Sequence, residues 1–376
     1  MALAGVFFAL GFIGASWICR IPQLQDDLRL SNRTLGLALV GLPLGSVAVS
    51  LLLPWVVERH PRRIMLAGLP VAAGSLCLLP AARGAVGVLL ALVLVGFTTA
   101  AVDVAMNAQA VQLQRRLTRS VVSRWHAMWS AGGFTGAGVG AAFAAATRSL
   151  LPHFLVVLLV VTLAAAWLRA RLAPDPTEPP VARRRSWSRD PRVLVLAAVS
   201  VAGFAVEVCA ADWGGVFLRR ILGASISTAA VAYAAFALPH FVARLLGDAV
   251  IARWSRATVM TGGLLATTAG YLVLITSTTV PQALGGLAIA GAGVSVVVPV
   301  ALLAAGNVSG VPSGAGVATV AGISYAGWSV TPPLVGALAG AAGLRLALLL
   351  PMAAALGSAV LVTARARRHP CDTGSR

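Results

Sequence analysis

The sequence predicts an all-α polytopic membrane protein with twelve transmembrane helices arranged as two six-helix repeats. Three observations carry this expectation. Of 376 residues, 59% are hydrophobic and only 11% are charged, whereas soluble domains run nearer half apolar and a quarter charged. The apolar residues form continuous runs of about 20, the length that spans a bilayer as a helix. A transmembrane barrel, the other way to satisfy every backbone group in lipid, would alternate over segments of about ten. Between the two sets of runs the chain reads RARLAPDPTEPPVARRRSWSRDPR from Arg169 to Arg192, with seven arginines, three acids and five prolines.

That polar centre sets the predicted domains: an N-terminal bundle over 1–168, a cytoplasmic linker over 169–192, a C-terminal bundle over 193–364 and a cytoplasmic tail over 365–376. The helices of the first bundle are expected near 2–20, 34–57, 63–81, 85–108, 124–147 and 151–169. Those of the second are expected near 193–214, 225–247, 257–277, 281–304, 313–339 and 344–364. The 39 glycines and 20 prolines do not argue against helices here, because transmembrane helices carry both more often than soluble ones. The first run meets Arg20-Ile21-Pro22 instead of a small-residue cleavage site, so it reads as a retained helix and not as a signal peptide.

All 29 basic residues are arginines, and the formal net charge is +18. They fall in loops between apolar runs, not on one soluble face, so a nucleic-acid partner is not expected. With the N-terminus inside, 20 arginines lie in cytoplasmic loops, linker and tail and 8 lie in outer loops. This asymmetry predicts a multi-pass protein of the cell membrane with both termini cytoplasmic. The linker prolines predict an extended tether that binds nothing itself. Cys19, Cys77, Cys209 and Cys371 show no metal-like or paired spacing and read as inert thiols.

An internal repeat shows at an offset of 196. Trp17 falls on Trp213, Ser31 on Ser227, Pro43 on Pro239, Trp129 on Tyr325 and Gly140 on Gly336. Parallel repeats of six helices are one transporter architecture. Gly132, Gly136 and Gly140, four apart on the fifth helix, let another helix approach closely.

Ionisable groups inside apolar runs are costly and point to function. Asp103 and Asn107 are four apart on the fourth helix, so they share a face. A buried carboxyl there can carry a proton; the structural alternative is an ion pair with Arg59, Arg62 or Arg124. Glu207 lies near the middle of the seventh helix and predicts a proton-binding or substrate-binding group. Asp212, five residues on, does not share its face. Asp212 beside Trp213 and Arg20 near the outer end of the first helix suggest an outer gate. His126 and His240 are candidate polar cavity groups, with a satisfied structural histidine as the alternative for each.

The loop after the second helix reads Pro54-Trp-Val-Val-Glu58-Arg59-His60-Pro61-Arg62-Arg63. It resembles the G-x-x-x-D-R-x-G-R-R signature of the major facilitator superfamily, with Glu58 for the acid, Arg59, Arg62 and Arg63 for the basic positions and prolines for both glycines. The second half repeats it loosely as Arg244-Leu-Leu-Gly247-Asp248 with Arg253 and Arg256 beyond. The resemblance implies a conformational latch made by Glu58, Arg59, Arg62, Arg63, Asp248 and Arg253. An acid facing arginines across a seam can hold one packing and release it in another. The stretches Asp103–Gln109, His126–Gly140 and Glu207–Trp213 resemble a bacterial branch of the same superfamily loosely related to sugar-permease-like members. That branch implies a secondary transporter working by alternating access and coupled to protons through Asp103 and Glu207. Asn107, Trp17, Ser130, Tyr233, His240 and Tyr325 line the expected cavity. The fifth helix lacks the Gly-Pro signature of the family's antiporters.

The expected partners are a small-molecule solute, the proton and the lipid bilayer, with the chain acting as a monomer. No cofactor or metal is expected, and no zinc spacing, P-loop or nucleophile elbow suggests an enzyme. A drug or metabolite exporter is the alternative within transport. A non-transporting membrane sensor is the alternative outside it, disfavoured by the short stretch after Arg365.

Overall fold

The computed structural model describes residues 2–52, 54–114, 122–175 and 187–368. Arg115, Arg116, Arg119, the middle of the predicted linker and the last residues of the tail lie outside them. So do the side chains of Glu58, Arg124 and Asp248. Among the described residues the chain is helical and without strands. The helices of the first half are α1 (Ala2–Ile18), α2 (Ile21–Asp27), α3 (Asn32–Leu39), α4 (Gly41–Leu52), α5 (Pro54–Arg59), α6 (Pro61–Leu76), α7 (Gly84–Gln114), α8 (Val122–Ala146) and α9 (Leu151–Leu168). Those of the second half are α10 (Pro191–Arg220), α11 (Ile226–Arg253), α12 (Arg256–Thr276), α13 (Val280–Val294), α14 (Val297–Ala305), α15 (Ser313–Ala342), α16 (Leu344–Ala347) and α17 (Leu349–Arg368).

Among the described residues ten stretches are long and apolar enough to cross a membrane. The two other long helices, α8 and α15, are the fifth of each predicted set. They are rich in Gly, Ala and Ser, residues that lower hydropathy and allow close helix approach. The chain separates into two compact units, Met1–Ala182 with Ser225–Ala234 and Arg183–Ala224 with Ala235–Arg376. Both use the same internal pairing. The first long helix packs on the fifth (α1 on α8; α10 on α15), and the third packs on the fourth and the sixth (α6 on α7 and α9; α12 on α13 and α17).

In the first unit the α1–α8 contact is backbone against backbone. The Phe8 carbonyl oxygen occupies the place a Cβ on Gly132 would take, and the Trp129 carbonyl does the same at Gly11. Just past the C-terminal end of α1 Arg20 is fully buried. Its guanidinium donates to the Gly140 carbonyl at 3.4 Å and the Ser149 carbonyl at 3.1 Å, which ties α1 to the α8–α9 connection. In the second unit Arg345 makes a corresponding tie, donating to the carbonyls of Ile275 and Ser277 with its guanidinium 5.3 Å from the Phe217 ring.

Several sequence expectations need correction. The second predicted helix, 34–57, falls on three, α3, α4 and α5, and the tenth on two, α13 and α14. The seventh extends at both ends, as α10 over Pro191–Arg220. The residue matching Ser31 is Ser225, not Ser227. Ser31 and Ser225 each accept the backbone N–H three residues on, at 3.1 Å, so the repeat slips by two residues at this turn. It returns to register afterwards, since α7 and α13 begin at Gly84 and Val280.

The described ends of the linker are held by helices of their own units, which the reading of it as an extended tether did not anticipate. Asp175 caps α6 by accepting the Arg62 N–H at 2.7 Å, and its other oxygen lies 3.5 Å from Arg63 Nε and 3.9 Å from His60 Nδ1. Helix N-termini leave N–H groups without intrahelical acceptors, and Pro61 in the first turn leaves Arg62 as an early donor to be satisfied. At the other end the Trp187 ring lies where a Gly322 side chain would be, and the Ser188 N–H donates to Thr319 Oγ1 at 2.8 Å. Asp190 caps α10 and pairs with Arg192 Nη2 at 3.0 Å, and that arginine holds its carboxyl below the usual carboxylate range. Asp175→Ala is expected to cost about 1 kcal/mol of stability, the usual worth of a cap. It should also raise the cleavage rate of the linker in limited proteolysis; an unchanged rate would show that the cap does not hold this segment.

Candidate functional site

The second unit assembles a polar cluster inside its spans. Glu207 lies midway along α10 and His240 midway along α11. His240 Nε2 is 3.4 Å from Glu207 Oε1. His240 is only 4% exposed, and the Phe236 ring one turn earlier stacks on it with centroids 5.7 Å apart. One turn beyond His240, Arg244 Nε donates to the Ser295 carbonyl at 3.4 Å, at the break between α13 and α14. Small residues let α10 reach this place: Gly203, one turn before Glu207, packs on Val297 and Val298. The Tyr271 hydroxyl donates to the Val206 carbonyl at 2.8 Å and fixes the α10 backbone next to Glu207.

When Glu207 is ionised and His240 neutral, the cluster with the Arg244 guanidinium carries no net charge. One added proton makes it cationic inside a membrane span, where charge is costly. A proton can pass between Glu207 and His240 without altering that net charge. Only exchange with the outside changes it.

The first unit holds a second, smaller group on α7. Asn107 Nδ2 donates to the Asp103 carbonyl at 2.9 Å and to its Oδ1 at 3.3 Å, as the four-residue spacing implies. Gln109, which the sequence places in the same stretch, donates to the Ala173 carbonyl at 3.1 Å and so holds the start of the linker. The ion pair of Asp103 with Arg62 weighed from sequence is not the arrangement found. Arg62 instead gives its N–H to Asp175 and its Nη2 to the Arg169 carbonyl at 2.6 Å.

The other candidates fall as follows. Trp17 and Ser130 are buried, each 3% exposed, and the Ser130 hydroxyl is turned to the His126 carbonyl at 3.5 Å. His126 meets the edge of Phe7 at 5.0 Å, and Tyr233 packs with Ala15, Ala137 and Ala234. Tyr325 is half exposed, its ring 6.1 Å from Phe204. Arg20 directs Nη1 and Nη2 to carbonyls of its own unit. Asp212 is partly buried beside the fully buried Trp213. In the predicted latch, Arg62 and Arg63 meet Asp175, an acid the sequence reading had left in a free linker. No group of three or more possible metal ligands occurs among the described residues. The pairing of Glu207 with His240, 33 residues apart, left no mark in the sequence, because periodicity reports faces within a helix and not which helices meet.

Comparison with known proteins agrees with this architecture. The family model described as Major Facilitator Superfamily matches residues 1–217. An uncharacterised MFS-type transporter of Yersinia pestis is 31% identical over 339 residues, which cover 89% of this chain and 87% of that protein. Among solved structures, the chain is similar to a bacterial homologue of the human lysosomal transporter Spinster in an inward-facing, occupied conformation. The TM-score is 0.76 at 16% identity, covering 99% and 97% of the two chains. The nucleoside transporter NupG gives a TM-score of 0.72 at 12% identity, covering 96% and 98%. At such identities the likeness is one of fold.

Proposed function

This chain belongs to the major facilitator superfamily of membrane transporters, and we propose that it moves a small solute by alternating access, coupled to protons through the Glu207–His240 pair. The observation that carries this reading is the 3.4 Å contact between an acid and an imidazole on two helices within the membrane-spanning part. Proton loading and solute binding both change the net charge or the solvation of one small volume. Each therefore alters the free energy of the other, which is the requirement for coupling. Asp103 with Asn107 on α7 is the second proton-binding candidate. Both termini are on the cytoplasmic side, a reading supported by the 20-to-8 distribution of arginines.

The test uses the purified protein in proteoliposomes. A solute that stabilises the folded state by mass action is found first, starting from nucleosides, since the similar NupG is a nucleoside transporter. Adding that solute on one side, with no ion gradient, should move protons across the membrane with it. Solute movement without proton movement removes the coupling. No movement of any stabilising solute removes the transport reading.

A further inference from the structure

Arg244 stands between the Glu207–His240 pair and a helix break whose cause can be read in the chain. Helix α13 stops at Val294 and α14 starts at Val297. Pro299, in the first turn of α14, has no N–H to give to the carbonyl four residues earlier, and its ring pushes that carbonyl aside. That carbonyl belongs to Ser295, which is fully buried. The Ser295 hydroxyl cannot relieve the loss, since it is a donor turned to the Ala292 carbonyl at 2.8 Å. In a membrane span no water is at hand to replace the missing donor. Arg244 Nε reaches the orphaned oxygen from α11 at 3.4 Å.

The internal repeat supplies a comparison. At the offset of 196, Ser295 corresponds to Thr99, Pro299 to Asp103 and Arg244 to Ala48. In the first unit residue 103 keeps its N–H, α7 runs unbroken from Gly84 to Gln114, and the residue at the position matching Arg244 is an alanine. The proline and the arginine occur together in the second unit, and neither occurs in the first.

We propose that Arg244 is a positioning residue that supplies the hydrogen-bond donor withheld by Pro299, and thereby links the Glu207–His240 pair to the bend between α13 and α14. The link to the pair rests on the function proposed above; the donor role does not. Arg244 lies one turn from His240 on α11, so a change of charge at the pair acts on the same residue that holds the break. The bend is thus stiff or free according to what the pair carries.

Two thermal-stability cycles on the full-length protein in detergent test this, and neither needs a known solute. Arg244→Met should lower the melting temperature by about 5 °C, and Arg244→Lys, which keeps a cationic donor, should retain at least half of that. In the Arg244→Met background, Pro299→Ala restores an N–H within reach of Ser295 and should recover most of the loss. If Arg244→Met does not fold, recovery of a monodisperse protein by Pro299→Ala gives the same answer. Failure of the second change to rescue the first overturns the donor role. In the other cycle, Arg244→Met and Glu207→Gln should be non-additive, as for groups in one network. Strict additivity overturns the link to the pair while leaving the donor role standing. A chain that proves to move no protons would still show the rescue by Pro299→Ala, which separates this inference from the transport reading.

Discussion

Glu207→Gln is expected to reduce proton-driven solute accumulation in proteoliposomes to background while leaving solute exchange between loaded vesicles within about threefold of wild type. Glutamine has nearly the same shape and can still hydrogen-bond His240 Nε2, so the 3.4 Å contact survives. What it loses is the ability to bind and release a proton. Exchange needs the carrier to turn over only with solute bound, whereas accumulation needs a proton to be taken up on one side and released on the other. The two assays therefore separate. His240→Gln should give the same pattern in weaker form, because Glu207 keeps its carboxyl. Asp103→Asn provides the comparison on the other unit. Its side chain can still accept from Asn107, so a structural role predicts little change in either assay, and a proton-carrying role predicts the same loss as at Glu207. Loss of exchange together with accumulation in Glu207→Gln would mean that the carboxylate holds solute or fold, and the coupling proposal would fall.

The sequence reading reached the fold because lipid leaves few choices. Long apolar runs around Arg169–Arg192 allow little besides helices in two sets. It also placed Asp103 and Asn107 on one face of a helix, since a four-residue spacing is a local geometric fact. It missed what depends on contacts between distant segments. Glu207 and His240 were each named, but nothing in a single chain says that α10 and α11 meet at those turns. Asp175 was read as part of a free tether, yet it caps α6 from more than a hundred residues away. The break at Ser295 was legible in principle: Pro299 inside a predicted helix removes one specific hydrogen bond. The apolar run on both sides outweighed that signal. Arg244 was set aside as part of a loose latch motif because its partner is a backbone carbonyl, which leaves no trace in residue type.

The glycines of α8 give a prediction in which one added methyl group has opposite effects at two sites six residues apart. Gly132→Ala should destabilise the protein by about 2 kcal/mol or more, as overpacking of a close contact does. The Phe8 carbonyl oxygen already fills the position its Cβ needs. The obstacle is backbone on α1, which no side-chain rotation can move, so the two helices must separate. Separation also disturbs the next contact of the same kind, at Gly136 against the Phe12 carbonyl. Gly138 lies on the same helix with nothing within 4 Å of its Cβ position. There alanine should stabilise by roughly 0.5–1 kcal/mol, because glycine in a helix interior loses more conformational freedom on folding. Melting temperatures of the two variants in one detergent should therefore move in opposite directions from wild type. If both rise, the α1–α8 backbone contact is looser than the structure shows. If both fall, the exposed face of α8 at Gly138 is itself covered in the folded protein.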